Sequence, residues 1–351
     1  MLAFSLQHAF ACLALTFLFL QGLRPIAVKV GLMDLPGGRK AHLSATPLVG
    51  GLGIFSGVLL VSFSLPALLV QFAPLLTLSA LVLFMGTIDD IKDLKPVVRM
   101  TGHSLIALSM AIVAENQIAS FGNILYFGAI ELGLLAIPVT VFATVGVINA
   151  VNMSDGVDGL SGGFMVVALG SVCVMALAGG NLALASFIAL LVCSLMAFLS
   201  MNFRSPWRRK ALVYLGDAGS TMLGFILAWL LIEASQGSQV LFPPVYALWF
   251  LAIPLFDTVN LLLKRPMHGE SPFRPGTDHL HHVLLNRGFS GGEVVFTLLS
   301  ISLLFALAGM LGIYYEASEA FMFQLFIILF ILYFLGIDRL AVKQARRSNT
   351  Y

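Results

Sequence analysis

Charge is what this sequence has least of. Charged side chains make up 10% of its 351 residues, against about 25% in ordinary soluble domains. Hydrophobic residues make up 59%, and mean hydropathy is +0.98. A water-soluble fold cannot hide that much apolar surface, which leaves a polytopic membrane protein. Cysteine is scarce too: Cys12, Cys173 and Cys193 all lie inside apolar runs. That excludes a disulfide framework or a zinc ribbon and reads as small packing residues. The longest connector, 264–293, is too short for an inserted soluble domain, so 1–351 reads as one integral-membrane unit. No internal repeat suggests an inverted-repeat transporter. The first apolar run lacks a basic leader and is longer than a signal-peptide core, so it reads as a retained span.

About 20 apolar residues cross a hydrocarbon core of about 30 Å as a helix. Runs of suitable length are Leu2–Leu23, Leu48–Val70, Phe72–Ile88, Met100–Ala114, Leu132–Ala150, Phe164–Ala178, Leu182–Met201, Ala211–Ile232, Val245–Leu263, Val294–Tyr314 and Ala320–Ile337. The expectation is an all-α protein with about eleven transmembrane helices, Met100–Ala114 being the shortest. All 19 Lys and Arg fall in connectors 24–47, 89–99, 149–163, 202–210, 264–293 and 338–351. None falls in 115–131, 179–181, 233–244 or 315–319, which carry Glu115, Glu131, Glu233, Glu316 and Glu319. Positive charge accumulates on the cytoplasmic side. This predicts an N-terminus outside the cytoplasm and a cytoplasmic C-terminus, which in a bacterium means a periplasmic N-terminus in an inner-membrane protein.

The stretch between Asn149 and Gly163 interrupts two apolar runs with Asn152, Asp155, Asp158 and four glycines. A single Asp there would read as a helix cap. Two, with Asn152, spaced by three, read better as a ligand or metal site, because ionisable residues near a bilayer are costly unless functional. Other clusters share this side. Arg39-Lys40-Ala-His42 precedes a Gly pair and reads either as positive-inside charge or as a phosphate contact. Asp89-Asp90 closes a span and Arg99 opens the next; adjacent carboxylates repel unless a cation lies between them. Mg²⁺ with one or two carboxylates and substrate phosphates answers that need, and a solvated acidic turn is the bland alternative. Asp217, between Gly216 and Ala218-Gly219, is either a cap or a ligand. His279-Leu-His281-His282 suits phosphate contact or proton transfer better than zinc, since adjacent histidines fit a mononuclear site poorly.

Read together, these stretches resemble the polyprenyl-phosphate N-acetylhexosamine-1-phosphate transferases, most closely the bacterial branch acting on undecaprenyl phosphate and UDP-N-acetylglucosamine. The matching stretches are Arg39–His42 with Thr46–Gly51, Asp89-Asp90, Asn149–Gly159, Leu215–Ser220, Ile253–Asp257, and Ser271–Phe273 with His279–His282. The resemblance implies transfer of GlcNAc-1-phosphate to the lipid phosphate with release of UMP, as the first membrane step of O-antigen or common-antigen type glycan synthesis. It implies Mg²⁺, with Mn²⁺ as a substitute, held by Asp217, Asp89 and Asp90. It makes Asp89, Asp90, Asp217, His279, His281 and His282 catalytic. It makes Lys40, His42, Arg99, Asn152, Asp155, Asp158, Asn202, Tyr214 and Arg265 substrate-binding, with Asn202 and Tyr214 toward the uracil. The implied partners are UDP-GlcNAc, undecaprenyl phosphate and membrane lipid, with no nucleic acid and room for a homodimer. Gly276-Thr277 departs from the acidic-basic pair usual before the histidines, which leaves the sugar-holding residue open.

Two other readings stand beside this one: the same chemistry on another UDP-N-acetylhexosamine, and a nucleotide-sugar transporter. The transporter reading predicts ionisable residues at the bilayer midplane, where only His8, His103 and Asp257 are candidates, inside or at the ends of spans.

Overall fold

The structure is a computed structural model and describes residues 5–34, 45–204, 208, 210–271, 276 and 278–348, with side chains as far as 337. The helices are α1 (Leu6–Val30), α2 (Gly50–Ser62), α3 (Pro66–Gln71), α4 (Ala73–Lys92), α5 (Pro96–Val113), α6 (Ala136–Met153), α7 (Leu160–Ala178), α8 (Leu182–Asn202), α9 (Gly216–Gln236), α10 (Val245–Phe250), α11 (Ala252–Met267), α12 (Leu280–Asn286), α13 (Gly291–Tyr314) and α14 (Glu319–Ser348). One two-residue antiparallel pair, Met33–Asp34 with Thr46–Pro47, accompanies them among the described residues.

Nine of these segments are long and apolar enough to cross a membrane unbroken among the described residues. The sequence predicts about eleven, and the difference lies in two runs. Leu48–Val70 divides into α2 and α3, where the chain turns at Phe63–Leu65 and Pro66 opens a new helix. Val245–Leu263 divides at Leu251 into α10 and α11. Pro254 follows that break as the third residue of α11, where the missing N–H has no intrahelical partner to lose. The shortest predicted span proves longer than expected, because α5 starts at Pro96.

The helices are graded by burial. In α9, 94% of the apolar window is buried, whereas in α1, α5 and α14 the figure is 22%. Side chains such as Leu134, Phe142, Phe296 and Val113 stand fully outward, as expected where lipid is the solvent and apolar residues gain nothing by facing inward. The inner helix is surrounded because its site-proximal half is built of small residues. A methyl on Gly86 of α4 would lie 2.4 Å from the Ala218 Cα, and one on Gly51 of α2 would lie 2.3 Å from the Gly219 Cα. Small residues let helix backbones approach closely in membranes, where packing replaces the hydrophobic effect.

The connectors gather at two ends, matching the division seen in the charge pattern. At one end, Asn116 bonds the Trp229 carbonyl, Gln236 bonds the Ser120 carbonyl, the Asn123 amide bonds Glu319, and Gln239 bonds the Gly179 carbonyl. At the other, Arg99 and Asn152 meet Asp217, Arg204 meets Asp158, Asn202 meets the Gly159 amide, and His281 lies against Gly156. The three cysteines are free, with Cys12 fully buried.

Gly86→Val is expected to wedge α4 from α9. Overpacking of this kind costs about 1–3 kcal/mol, so the apparent melting temperature in detergent should fall by several degrees. Unchanged melting would contradict the close approach.

Candidate active site

The site is built around the N-terminus of α9. Gly216 adopts a φ of +73°, open chiefly to glycine, and a methyl there would meet the Asp90 Oδ2 at 2.6 Å. With that space free, Asp90 at the end of α4 accepts the Asp217 amide at 2.8 Å and the Ala218 amide at 3.1 Å. A helix leaves its first amides without intrahelical partners, and its N-terminus favours an anion. One carboxylate from a different helix meets both needs and fixes the backbone that carries Asp217.

Asp89 is buried and engaged on both sides. Its Oδ1 accepts the Leu94 amide at 2.7 Å and its Oδ2 accepts Arg99 at 2.8 Å. Arg99 reaches on to the Asp217 Oδ2 at 3.4 Å. The cation required near the adjacent carboxylates is therefore supplied by α5.

Asp217 is the carboxylate left open: its side chain is 37% exposed against 3% for Asp89. Its Oδ1 accepts the Asn152 amide at 2.6 Å, and Asn152 also donates to Ser220 at 2.9 Å. Asn152 reaches this position because α6 runs beside α9 and ends at Met153. Asp155 lies in the turn that follows. Although the residue as a whole is exposed, loss of hydration within the surrounding protein, then the Asp217, Asp158 and Asp90 carboxylates, push it up to about 8. Asp158 is paired with Arg204. Arg204 belongs to a basic connector whose only signal in the sequence is charge.

Several expected substrate contacts prove to be internal. Asn202 accepts the Gly159 amide at 2.6 Å and donates to the Val213 carbonyl at 2.9 Å. Both polar ends of this buried amide brace the backbone, so the structure gives it a scaffolding position rather than a free face for uracil. Tyr214 exchanges backbone bonds with Pro47 and Gly50, and burial followed by the nearby Asp158 raises its phenol above the ordinary value. Arg265 is 3% exposed and grips Asp278 through two bonds of 3.0 and 2.8 Å. Lys40 and His42 lie outside the described residues.

The histidines occupy the same end. The His279 and His281 rings are stacked with centroids 5.7 Å apart, and the His282 ring is tilted against His281 at 4.2 Å. His281 lies against the 152–158 turn, since a methyl on Gly156 would come within 2.1 Å of its Nε2. That nitrogen is buried with no hydrogen-bond partner among the described residues. Burial, then the neighbouring His282, drives His281 down to about 3. Below them an apolar cluster of Leu160, Phe164, Ile253, Leu280, Val294 and Leu298 seats the short helix α12. Asp257 on α11, which the sequence marks only as a motif position, accepts His279 Nδ1–H at 2.8 Å and the Leu280 amide at 2.9 Å.

Among the described residues no three His, Cys, Asp or Glu side chains form a ready-made metal cage. All three carboxylates that the resemblance makes metal ligands have oxygens met by protein donors, and among them Asp217, bonded by Asn152 and Arg99, keeps a side chain 37% exposed. A partly exposed carboxylate close to others can accept a cation whose remaining ligands are phosphate oxygens and water.

The fold and site together define a polytopic helical membrane protein with carboxylates, Arg99 and histidines gathered at one end of the bundle. The glycosyl transferase family 4 model matches residues 72–235. Relatives named undecaprenyl-phosphate alpha-N-acetylglucosaminyl 1-phosphate transferase extend the match over nearly the whole chain. The Yersinia pestis protein is 35% identical over 91% of this chain and 87% of its own length. The Escherichia coli K12 protein is 34% identical over 94% and 90%, and the Haemophilus influenzae protein 35% over 90% and 89%. The chain belongs to glycosyl transferase family 4.

His281 is neutral in the fold and has an ordinary imidazole value of about 6.5 when unfolded. A depressed native value means that the unfolded state takes up the proton first, so stability falls as pH drops from about 6.5 toward 3. The melting temperature in detergent should decline between pH 7 and 5, and His281→Leu should flatten part of that slope. An identical slope in the variant would contradict the buried neutral assignment.

Proposed function

We propose that this chain transfers GlcNAc-1-phosphate from UDP-GlcNAc to undecaprenyl phosphate at the cytoplasmic face of the bacterial inner membrane. The observation that carries the reading is the open Asp217 carboxylate, held by Asp90, Asn152 and Arg99 at the end of the molecule that also carries the histidines. In the reaction a lipid-phosphate oxygen attacks the β-phosphorus of the sugar nucleotide. The bond from that phosphorus to the bridging oxygen breaks, and UMP departs with the oxygen. A phosphate monoester has its second pKa near 6, so the nucleophile is largely ionised at neutral pH without a strong base.

The demands on the protein are then charge compensation and alignment. Mg²⁺, with Mn²⁺ as a substitute, fits at Asp217, where it would neutralise the negative charge of the diphosphate and polarise its oxygens. The gathering of Asp217, Asp158 and Asp90 beside Asp155 favours the same placement, because a cation would relieve their mutual repulsion. Arg99 holds Asp89 and Asp217 in register and adds positive charge beside the diphosphate. Asp89, hydrogen-bonded at both oxygens, suits an orienting role better than nucleophilic attack, which requires a carboxylate free to aim at phosphorus. On this reading transfer is direct, with no sugar-phosphate adduct on Asp89 or Asp90. On the same reading the histidines contact phosphate oxygens, Asp158 and Arg204 border the nucleotide, and membrane lipid surrounds the outer helices. The lipid-linked product suits O-antigen or common-antigen assembly.

Purified protein with labelled UDP-GlcNAc, undecaprenyl phosphate and Mg²⁺ should release UMP and form a lipid-linked sugar, and chelation should stop it. Asp217→Asn should reduce turnover by at least about 100-fold at any Mg²⁺ concentration, a barrier increase of about 2.7 kcal/mol. Turnover confined to another UDP-N-acetylhexosamine would redirect the substrate assignment, and uptake without chemistry would favour a transporter. Orientation is tested separately in a cysteine-free background: a cysteine at Gln239 should label from the periplasm and one at Lys95 only after permeabilisation. The reverse pattern would move the site to the other face.

A further inference from the structure

Asp257 and the last membrane helix stand outside every role described so far. Asp257 lies buried in α11 and receives three donors. His279 Nδ1–H binds its Oδ2 at 2.8 Å, while the Leu280 amide at 2.9 Å and the Tyr333 hydroxyl at 3.2 Å share its Oδ1. Tyr333 comes from α14, 76 residues away in sequence. Its neighbour Phe334 accepts Lys264 Nζ of α11 through its carbonyl at 3.0 Å, and the same ammonium stands 4.6 Å from the Phe334 ring centroid. Two successive residues of the last span are thus fastened to α11. Two successive residues of the histidine segment are fastened there as well, Asp278 by Arg265 and His279 by Asp257. Asp257, His281 and Ser154 line one small cavity, so this apparatus adjoins the turn that carries Asp155. All of it lies beyond residues 72–235, the part matched by the family model.

We infer that Asp257 and Tyr333 are positioning residues for His279, and that through them the last membrane helix is part of the active site. A carboxylate can only accept, so its bond to Nδ1 fixes the proton there and leaves Nε2 as the ring atom available to a ligand. The Tyr333 hydroxyl and the Leu280 amide occupy the second oxygen, so the carboxylate cannot turn and the imidazole plane is set with it. The partner for Nε2 is a phosphate oxygen of the sugar nucleotide or of the lipid, an assignment that rests on the transferase reading above.

The test compares wild type, Tyr333→Phe, His279→Ala and the double variant as full-length protein in lipid nanodiscs with UDP-GlcNAc, undecaprenyl phosphate and Mg²⁺. Tyr333→Phe keeps the ring and removes one hydroxyl. It should lower kcat about 10-fold, about 1.4 kcal/mol of barrier, with little change in KM or melting temperature. Because Tyr333 acts through His279, the double variant should be no slower than His279→Ala alone. Wild-type kcat in Tyr333→Phe, or losses that multiply in the double variant, would overturn the inference. A second readout needs no turnover. Histidine ¹⁵N spectra, with His279 assigned by its absence in His279→Ala, should show the proton on Nδ1 in wild type and a mixed tautomer in Asp257→Asn. A wild-type Nε2–H tautomer at His279 would overturn the inference even in active protein. Absence of wild-type turnover with the Nδ1–H tautomer in place would instead count against the transferase reading.

Discussion

The architecture depends on a carboxylate of one helix taking the place of the missing carbonyls at the start of another. Asp90 at the end of α4 receives the first free amides of α9, and this is feasible only because both helices are reduced to small residues where they meet. Gly86 faces Ala218, and Gly216 leaves the space that the Asp90 oxygens occupy. The bond joins two spans far apart in the chain and fixes the backbone of Asp217 at the same time. A helix N-terminus left unsatisfied near the membrane would be costly. The same contact therefore contributes to packing and to the site.

From that junction the site extends in two directions, both supported on helices rather than on free loops. Toward α5 and α6, Arg99 and Asn152 grasp the two oxygens of Asp217 from opposite sides. Toward α11, α12 and α14, Arg265, Asp257 and Tyr333 hold the segment that carries the histidines. Most polar groups at this face are engaged by other protein groups. Preorganisation of this kind suits phosphoryl transfer, where positioning and charge compensation supply most of the rate.

The lipid-facing surface follows a different rule. Outer helices expose large Phe, Leu and Val side chains, and the inner helix α9 is less apolar than the outer helices α1 and α14. In a bilayer, hydropathy separates spans from connectors but does not separate inner from outer helices. The small-residue pattern Gly-Asp-Ala-Gly-Ser at the start of α9 is the better sign of an interior position.

The number of apolar runs, their division between two sides and the stretches that carry the chemistry were legible in the chain, because partition into a bilayer depends on composition along a line. Asn152, Asp155, Asp158, Asp217 and the histidines stood out as polar residues in apolar surroundings, and all are found at one end of the bundle. What the chain could not disclose was which polar groups serve one another. Asp90 and Asn202 read as ligands and are internal braces, Arg265 reads as a phosphate contact and is held by Asp278, and Tyr333 gave no signal inside an apolar run. The breaks at Leu251 and at Phe63–Leu65 were equally hidden, since neighbouring helices can absorb a turn that hydropathy does not record. Partition is a property of each segment taken alone, whereas pairing depends on distances of a few ångströms between segments that only packing brings together.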